Sequence, residues 1–78
     1  MLTNVKRISI NATSDPNTKI GTLYTCSEYR WINVLNGEVI TNMDKESDTI
    51  EFVVRVAEKH KSYEKPSMDE LKFLQSKL

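Results

Sequence analysis

The first half of the chain alternates apolar and polar positions over short stretches, which is the pattern of β-strands. In residues 6–10, Ile8 and Ile10 fall on one face of an extended segment, because strand side chains alternate between faces. A polar stretch follows at residues 11–19, and its Asp-Pro-Asn run is typical of a turn or loop. Residues 20–27 then return to a strand-like composition, so the pattern predicts two strands separated by this loop.

The clearest local signal is a hairpin. Residues 30–35 and 38–41 are strand-like segments that flank Asn36-Gly37. Asn-Gly tolerates the positive φ angles of a type I′ turn, whose twist matches that of two paired antiparallel strands. The sequence therefore predicts a two-residue β-hairpin at this point.

The apolar segment at residues 50–57 fits two structures. As a helix it has Asp48 as N-cap with Glu51 three residues later, which is a capping box. One helical stripe then contains Ile50, Val53, Val54 and Ala57. A strand would instead alternate Ile50, Phe52, Val54 and Val56. The Glu-Lys-His-Lys run that follows favours the helix.

A second helix is predicted at the C-terminal end. Pro66 ends the preceding element, and Ser67 with Glu70 forms a capping box. The apolar stripe of this helix is Met68, Leu71, Leu74 and Leu78. The sum is an α+β fold: a three- to four-stranded antiparallel sheet, including the Asn-Gly hairpin, with one or two C-terminal helices packed on it.

Length and composition indicate one domain, residues 1–78. Valine, isoleucine, leucine and phenylalanine make up 20 of the 78 residues, enough for one small core. Cys26 is the only cysteine and cannot form an internal disulfide, which small secreted domains normally need. The N-terminus lacks the apolar run of a signal peptide, and no stretch reaches transmembrane length. The prediction is a cytoplasmic protein that does not enter a membrane.

The charges balance overall but are segregated along the chain. Eleven lysines and arginines offset eleven aspartates and glutamates, which argues against a dedicated nucleic-acid binder. Residues 38–51 hold five acids and one base, whereas residues 55–65 are predominantly basic. The few glycines and alanines and the many asparagines, lysines and isoleucines are typical of AT-rich genomes, such as those of many phages.

Residue counts exclude most chemistry. Cys26 and His60 are the only cysteine and histidine, which is too few for a structural zinc site and leaves no triad for nucleophilic catalysis. Gly21 and Gly37 stand alone, so no glycine-rich loop can cradle a phosphate. We therefore expect no enzyme activity, no cofactor and no small-molecule substrate.

A calcium loop is also rejected. The acids of residues 44–48 occupy the first, third and fifth positions of such a loop, but Thr49 replaces the glycine required at the sixth. Arg55 stands where the bidentate glutamate belongs. An acidic helix start explains these residues with fewer assumptions, and no metal is predicted.

The predicted hairpin carries apolar residues on both faces. One face holds Tyr29, Trp31, Asn33 and Leu35, and the other holds Arg30, Ile32 and Val34. Two helices are expected to cover one face, so the other is either wrapped by the N-terminal segment or left as an exposed apolar patch. A bulge that moves the apolar residues to one side is the alternative.

The leading hypothesis is a non-enzymatic protein-binding module, an inhibitor or regulator of a larger macromolecule of the kind that phages encode, or a protein that self-associates through its sheet. The expected interface residues are Tyr29, Arg30 and Trp31, with Asp44, Glu46 and Asp48 as a complement to a basic partner. The alternative is a small nucleic-acid binder using Lys6, Arg7, Lys19, Arg30 and the helix-end lysines. Against that alternative, Trp31 and one tyrosine fit better in the core beneath the helices.

Overall fold

A computed structural model describes residues 1–9, 20–42 and 48–78. These residues form an α+β fold, as predicted, with an antiparallel sheet of five strands and two helices. The sheet thus has one strand more than the three to four expected. The strands are β1 (Lys6–Ile8), β2 (Thr22–Thr25), β3 (Ile32–Leu35), β4 (Glu38–Thr41) and β5 (Tyr63–Glu64), and the helices are α1 (Asp48–His60) and α2 (Met68–Lys77). The predicted loop at residues 11–19 lies outside the described residues.

The strand order across the sheet is β4-β3-β2-β1-β5. The first four strands form a meander in which each pairs with the next along the chain. After α1 the chain returns to the open side of β1, where Ile8 lies opposite Tyr63. β5 has only two residues, which is too short for an alternating pattern, and this is why the sequence does not reveal it.

The predicted hairpin between β3 and β4 is confirmed. Leu35 pairs with Glu38 across a two-residue turn, and φ is +53° at Asn36 and +81° at Gly37. Positive φ at both central residues defines the type I′ turn that Asn-Gly favours. β3 begins at Ile32, two residues later than the predicted start.

Of the two structures open to residues 50–57, the helix is correct and the strand is wrong. All four residues of the predicted helical stripe are buried, and they are Ile50, Val53, Val54 and Ala57. Asp48 and Glu51 lie in the first turn, and Lys59 and His60 in the last, where their charges oppose the partial charges of the helix ends. Asp48 is the first helical residue rather than the N-cap, a shift of one position.

The two helices cover opposite faces of the sheet. The core on the α1 face consists of Ile8, Leu23, Trp31 and the buried stripe of α1. The core on the α2 face consists of Tyr24, Ile32 and Leu74, with half-buried Leu2, Val5, Val34 and Val39 around them. The expectation that both helices cover one face is therefore wrong. The N-terminal segment contributes to the second core, as one of the proposed alternatives had it.

Helix α2 begins as predicted but buries less than predicted. The Ser67–Glu70 capping box is present in full, and Leu74 is completely buried. Met68 and Leu78, however, expose 68% and 41% of their surface. The predicted apolar stripe of this helix is thus wrong at both ends, because only the part of α2 around Leu74 packs against the sheet.

A polar cluster fastens the start of α2 to the sheet. The Tyr24 hydroxyl donates to Glu70 Oε2 at 2.6 Å, and Arg7 Nη1 donates to Glu70 Oε1 at 2.5 Å. Arg7 also donates to Glu64 at 2.8 Å. The pKa of Glu70 falls to about 2, chiefly because the backbone N–H of Ser67 donates to the carboxylate, with Tyr24 and Arg7 adding to the effect. Burial, followed by the bond to Glu70, raises the pKa of Tyr24.

Substitution of Gly21 by alanine is expected to destabilise the fold by at least about 2 kcal/mol. A Cβ at this position would lie 1.8 Å from the carbonyl oxygen of Val34, so β3 would have to move. Gly37→Ala is the matched comparison, since open space surrounds that position and only its positive φ opposes alanine, at a cost of about 1 kcal/mol. Urea unfolding measures both, and an equal or milder loss in Gly21→Ala would contradict the close approach.

The stability of the protein should fall as the pH drops from about 5 towards 2, in part through Glu70. The folded pKa of Glu70 lies below its ordinary value, so the stabilisation is complete above that value and is lost as the carboxylate protonates. In Glu70→Gln this part of the loss, about 1 kcal/mol after solvent screening, should disappear.

Thermal unfolding at several pH values measures the effect of Glu70. The control is Asp69→Asn, since Asp69 lies in the same helical turn and forms no ion pair among the described residues. Parallel pH profiles for wild type and Glu70→Gln would contradict the assignment.

Candidate protein-binding surface

The structure describes four of the six residues expected at an interface. Tyr29, Arg30 and Trp31 lie in the connection between β2 and β3, and Asp48 is an exposed residue at the start of α1. Asp44 and Glu46 lie outside the described residues. Arg30 binds Glu51 in the first turn of α1 and Glu58 further along the same helix. Asp48 precedes Glu51 by three residues, so it lies about one helical turn from the nearer carboxylate that Arg30 binds.

Trp31 is part of the core. Only 1% of its surface is exposed, and it packs with Leu23 and the buried stripe of α1. Tyr24 is buried on the other face, so one tryptophan and one tyrosine do lie beneath the helices. A direct contact between Trp31 and a partner would require this core to open, and the surface described below is built from its neighbours.

Arg30 is held against α1 by two carboxylates. Its Nη1 donates to Glu58 at 2.5 Å and its Nε donates to Glu51 at 3.3 Å. The pKa of the guanidinium is raised, chiefly by the hydrogen bond to Glu58. The Arg30 backbone N–H donates to the side chain of Asn42 at 3.1 Å. Arg30 is thus fixed in one orientation while 39% of its side chain remains exposed.

The sequence indicates neither Glu51 nor Glu58 as a partner of Arg30, and Glu51 was predicted only as part of a capping box. Each is a helix-surface acid 21 or 28 residues away from Arg30, and no local spacing predicts a contact of that kind. The segment at residues 26–30 carries a clearer signal, because its polar residues stand between β2 and β3 and interrupt the alternation. That interruption places Tyr29 with the α2-side core and Trp31 with the α1-side core, although simple alternation puts both on one face.

Hydrogen bonds brace the bend at residues 26–30. The Glu28 carboxylate accepts from the backbone N–H and the hydroxyl of Thr3 at 2.8 and 2.6 Å, and the pKa of Glu28 is lowered chiefly by that hydroxyl. The Ser27 N–H donates to the Thr3 carbonyl at 2.9 Å. Within the bend, the Tyr29 N–H donates to Cys26 Sγ at 3.3 Å. The N-terminal segment therefore holds Tyr29 in place.

Two grooves lie on either side of this bend, and Glu28 and Tyr29 line both. The first, about 360 Å³, lies on the α1 side and is lined by Lys6, Cys26, Arg30, Glu58 and Tyr63 among others. The second, about 320 Å³, is bordered by Met1, Leu2, Gln75 and Leu78. One is mainly polar and the other more apolar, so the bend forms a ridge between two surfaces of different character.

Arg7 does not lie on the same face as Lys6 and Arg30. Arg7 is paired with Glu64 and Glu70 on the α2 side, and Arg30 is paired with two acids of α1. Lys6 points to the other side of the sheet from Arg7, with its Nζ 5.3 Å from the centre of the Tyr63 ring. Lys19 lies outside the described residues. The strand face required by the nucleic-acid alternative is therefore divided between two sides, and its arginines are matched by carboxylates.

The thiol, the possible metal ligands and the lengths of the helices bear on other kinds of function. Burial raises the pKa of the Cys26 thiol, which disfavours the reactive thiolate. Among residues 1–9, 20–42 and 48–78, no group of three His, Cys, Asp or Glu side chains could hold a metal ion. Within the same residues, neither helix has the length and apolar character needed to cross a membrane. The acidic residues compared with a calcium loop lie mostly outside this part of the chain.

No protein-family model matches the chain, and neither the curated proteins nor the solved structures include a significant match.

Cys26 is expected to react slowly with thiol reagents. Because its pKa is raised and its side chain is half-buried, the folded protein at pH 7.5 should react with a chromogenic disulfide at least about tenfold more slowly than the protein unfolded in guanidinium. Absorbance of the released thiolate measures both rates. Equal rates would show that the Cys26 thiol is open to solvent in the folded protein.

Proposed function

We propose that the chain is a protein-binding module without catalytic activity, which inhibits or regulates a larger macromolecule by surface contact. The observation that carries this proposal is the braced ridge at residues 26–30. It presents Tyr29 between two grooves and Arg30 beside it. Tyrosine and arginine are enriched among the residues that dominate binding energy at protein interfaces.

The hydrogen bonds and ion pairs of the ridge support this function. Binding costs conformational entropy for each side chain that is ordered at an interface. The bonds to Thr3 and the ion pairs to α1 already engage the side chains of Glu28 and Arg30 in the free protein. A partner that inserts a side chain into either groove therefore meets a surface that is largely organised in advance.

The character of the two grooves suggests what the partner offers. The α1-side groove contains both signs of charge, from Lys6, Arg30 and Glu58, and suits a segment with hydrogen-bonding groups. The second groove has Leu2 and Leu78 on its border and suits an apolar side chain. A polypeptide supplies both kinds of group within a few residues, whereas a nucleic-acid backbone offers repeated negative charge.

Affinity capture with matched variants tests the proposal. Wild-type protein is immobilised and exposed to a lysate of its source organism, and the bound proteins are identified by mass spectrometry. Tyr29→Ala and Arg30→Ala should each reduce recovery of the specific partner by about tenfold or more, as for a residue worth at least about 1.4 kcal/mol at an interface. Met68→Ala is the control, because Met68 is exposed on α2 and borders neither groove.

Circular dichroism first establishes that each variant is folded. If folded Tyr29→Ala and Arg30→Ala retain every partner of the wild type, the ridge is not the binding surface. If the captured material is nucleic acid, and binding weakens steeply between about 0.05 and 0.2 M salt, the protein-binding proposal is wrong.

A further inference from the structure

Helix α1 carries an exposed phenylalanine on its outer side. Phe52 leaves 50% of its surface in contact with solvent. The other large apolar side chains that are exposed among the described residues stand at the ends of the chain or at the first residue of α2, and they are Met1, Met68 and Leu78. Phe52 is thus exposed in the middle of a rigid helix, where its backbone position is fixed.

Phe52 belongs to a row of residues that we call the outer seam: Asp48, Phe52, Arg55 and Lys59. Their separations of four, three and four residues are the spacing at which helices form a continuous contact line with another helix. The seam lies opposite the buried stripe of α1, since Asp48, Phe52, Arg55 and Lys59 are all exposed. It is therefore a contact line that faces away from the sheet.

The charges of the outer seam lack partners within the described chain. Glu51 precedes Arg55 by four residues, a spacing that favours an ion pair along a helix. Arg30 takes the Glu51 carboxylate instead, and takes Glu58 as well. No ion pair among the described residues involves Asp48, Arg55 or Lys59. The seam thus runs from a negative end, through an aromatic ring, to two positive charges.

We propose that two copies of this chain associate through antiparallel packing of their outer seams. In this arrangement Asp48 of one copy lies against Lys59 of the other, and this pair occurs twice because the contact has two-fold symmetry. At the centre, the Arg55 guanidinium of each copy stacks on the Phe52 ring of the other, an attractive cation–π arrangement. Antiparallel packing also sets each helix dipole against the opposite end of its neighbour.

Self-complementarity is the reason for choosing a second copy as the occupant. One row of residues supplies every group that its own two-fold image requires: an acid for the lysine and a ring for the arginine. The contact is small, since α1 has 13 residues and is about 20 Å long. The packing of one such helix on another buries well below the roughly 800 Å² that each partner buries in a standard interface. The dimer is therefore weak, with a dissociation constant above about 1 µM, and sensitive to salt.

Sedimentation equilibrium on the intact chain tests association. The wild type should show a reversible monomer–dimer equilibrium that weakens at least severalfold between about 0.05 and 0.5 M salt. Phe52→Ala should raise the dissociation constant by about tenfold or more, while Met68→Ala leaves it unchanged. A wild type that remains monomeric up to about 1 mM overturns the proposal.

Charge exchange tests the register. Asp48→Lys alone and Lys59→Glu alone should each abolish the dimer, because each places like charges together twice. An equimolar mixture of the two variants should restore a heterodimer, and the double variant should restore the homodimer, since both recreate opposite charges. Single variants that dimerise as the wild type does, or a mixture and a double variant that both stay monomeric, overturn the antiparallel pairing.

The outcome is separate from that of the function proposed above. Tyr29→Ala should leave this equilibrium unchanged, because Tyr29 lies on the ridge and not on the outer seam. Loss of the dimer in folded Tyr29→Ala would place the contact at the ridge and overturn the outer seam.

Discussion

Adjacent residues of a strand point to opposite sides of a sheet, and in β2 both of these sides must be covered. Leu23 is buried on the α1 side and Tyr24 on the α2 side. A sheet that is apolar on both faces is not stable with one face in water. The two helices consequently lie on opposite faces, and Leu2 and Val5 of the N-terminal segment complete the cover where α2 is too short.

The two helices are held against the sheet by different interactions. Helix α1 has four buried apolar residues and a full stripe, so hydrophobic burial suffices to place it. Helix α2 buries Leu74 alone, and its position depends on Glu70, which caps its own helix and also accepts from Tyr24 and Arg7. One carboxylate therefore stabilises both the first turn of α2 and the contact of α2 with the sheet. Both effects require that Glu70 is ionised.

Features set by neighbouring residues could be predicted from the sequence, and features set by distant contacts could not. The Asn36-Gly37 turn, the buried stripe of α1 and the Ser67 capping box each follow from a few adjacent positions. The side of the sheet on which each helix lies, and the pairing of β5 with β1, depend on contacts between residues far apart in the chain. For the same reason Arg30 could be predicted as a surface residue, while its pairing with two acids of α1 could not.

Arg30 connects the two surfaces that this fold presents. By binding Glu51 and Glu58 it anchors the ridge at residues 26–30 to α1, which keeps Tyr29 positioned between its grooves. The bond to Glu51 also withdraws that carboxylate from Arg55, which follows it by four residues along the helix. Arg30 therefore contributes both to the ridge and to the pattern of charge along α1.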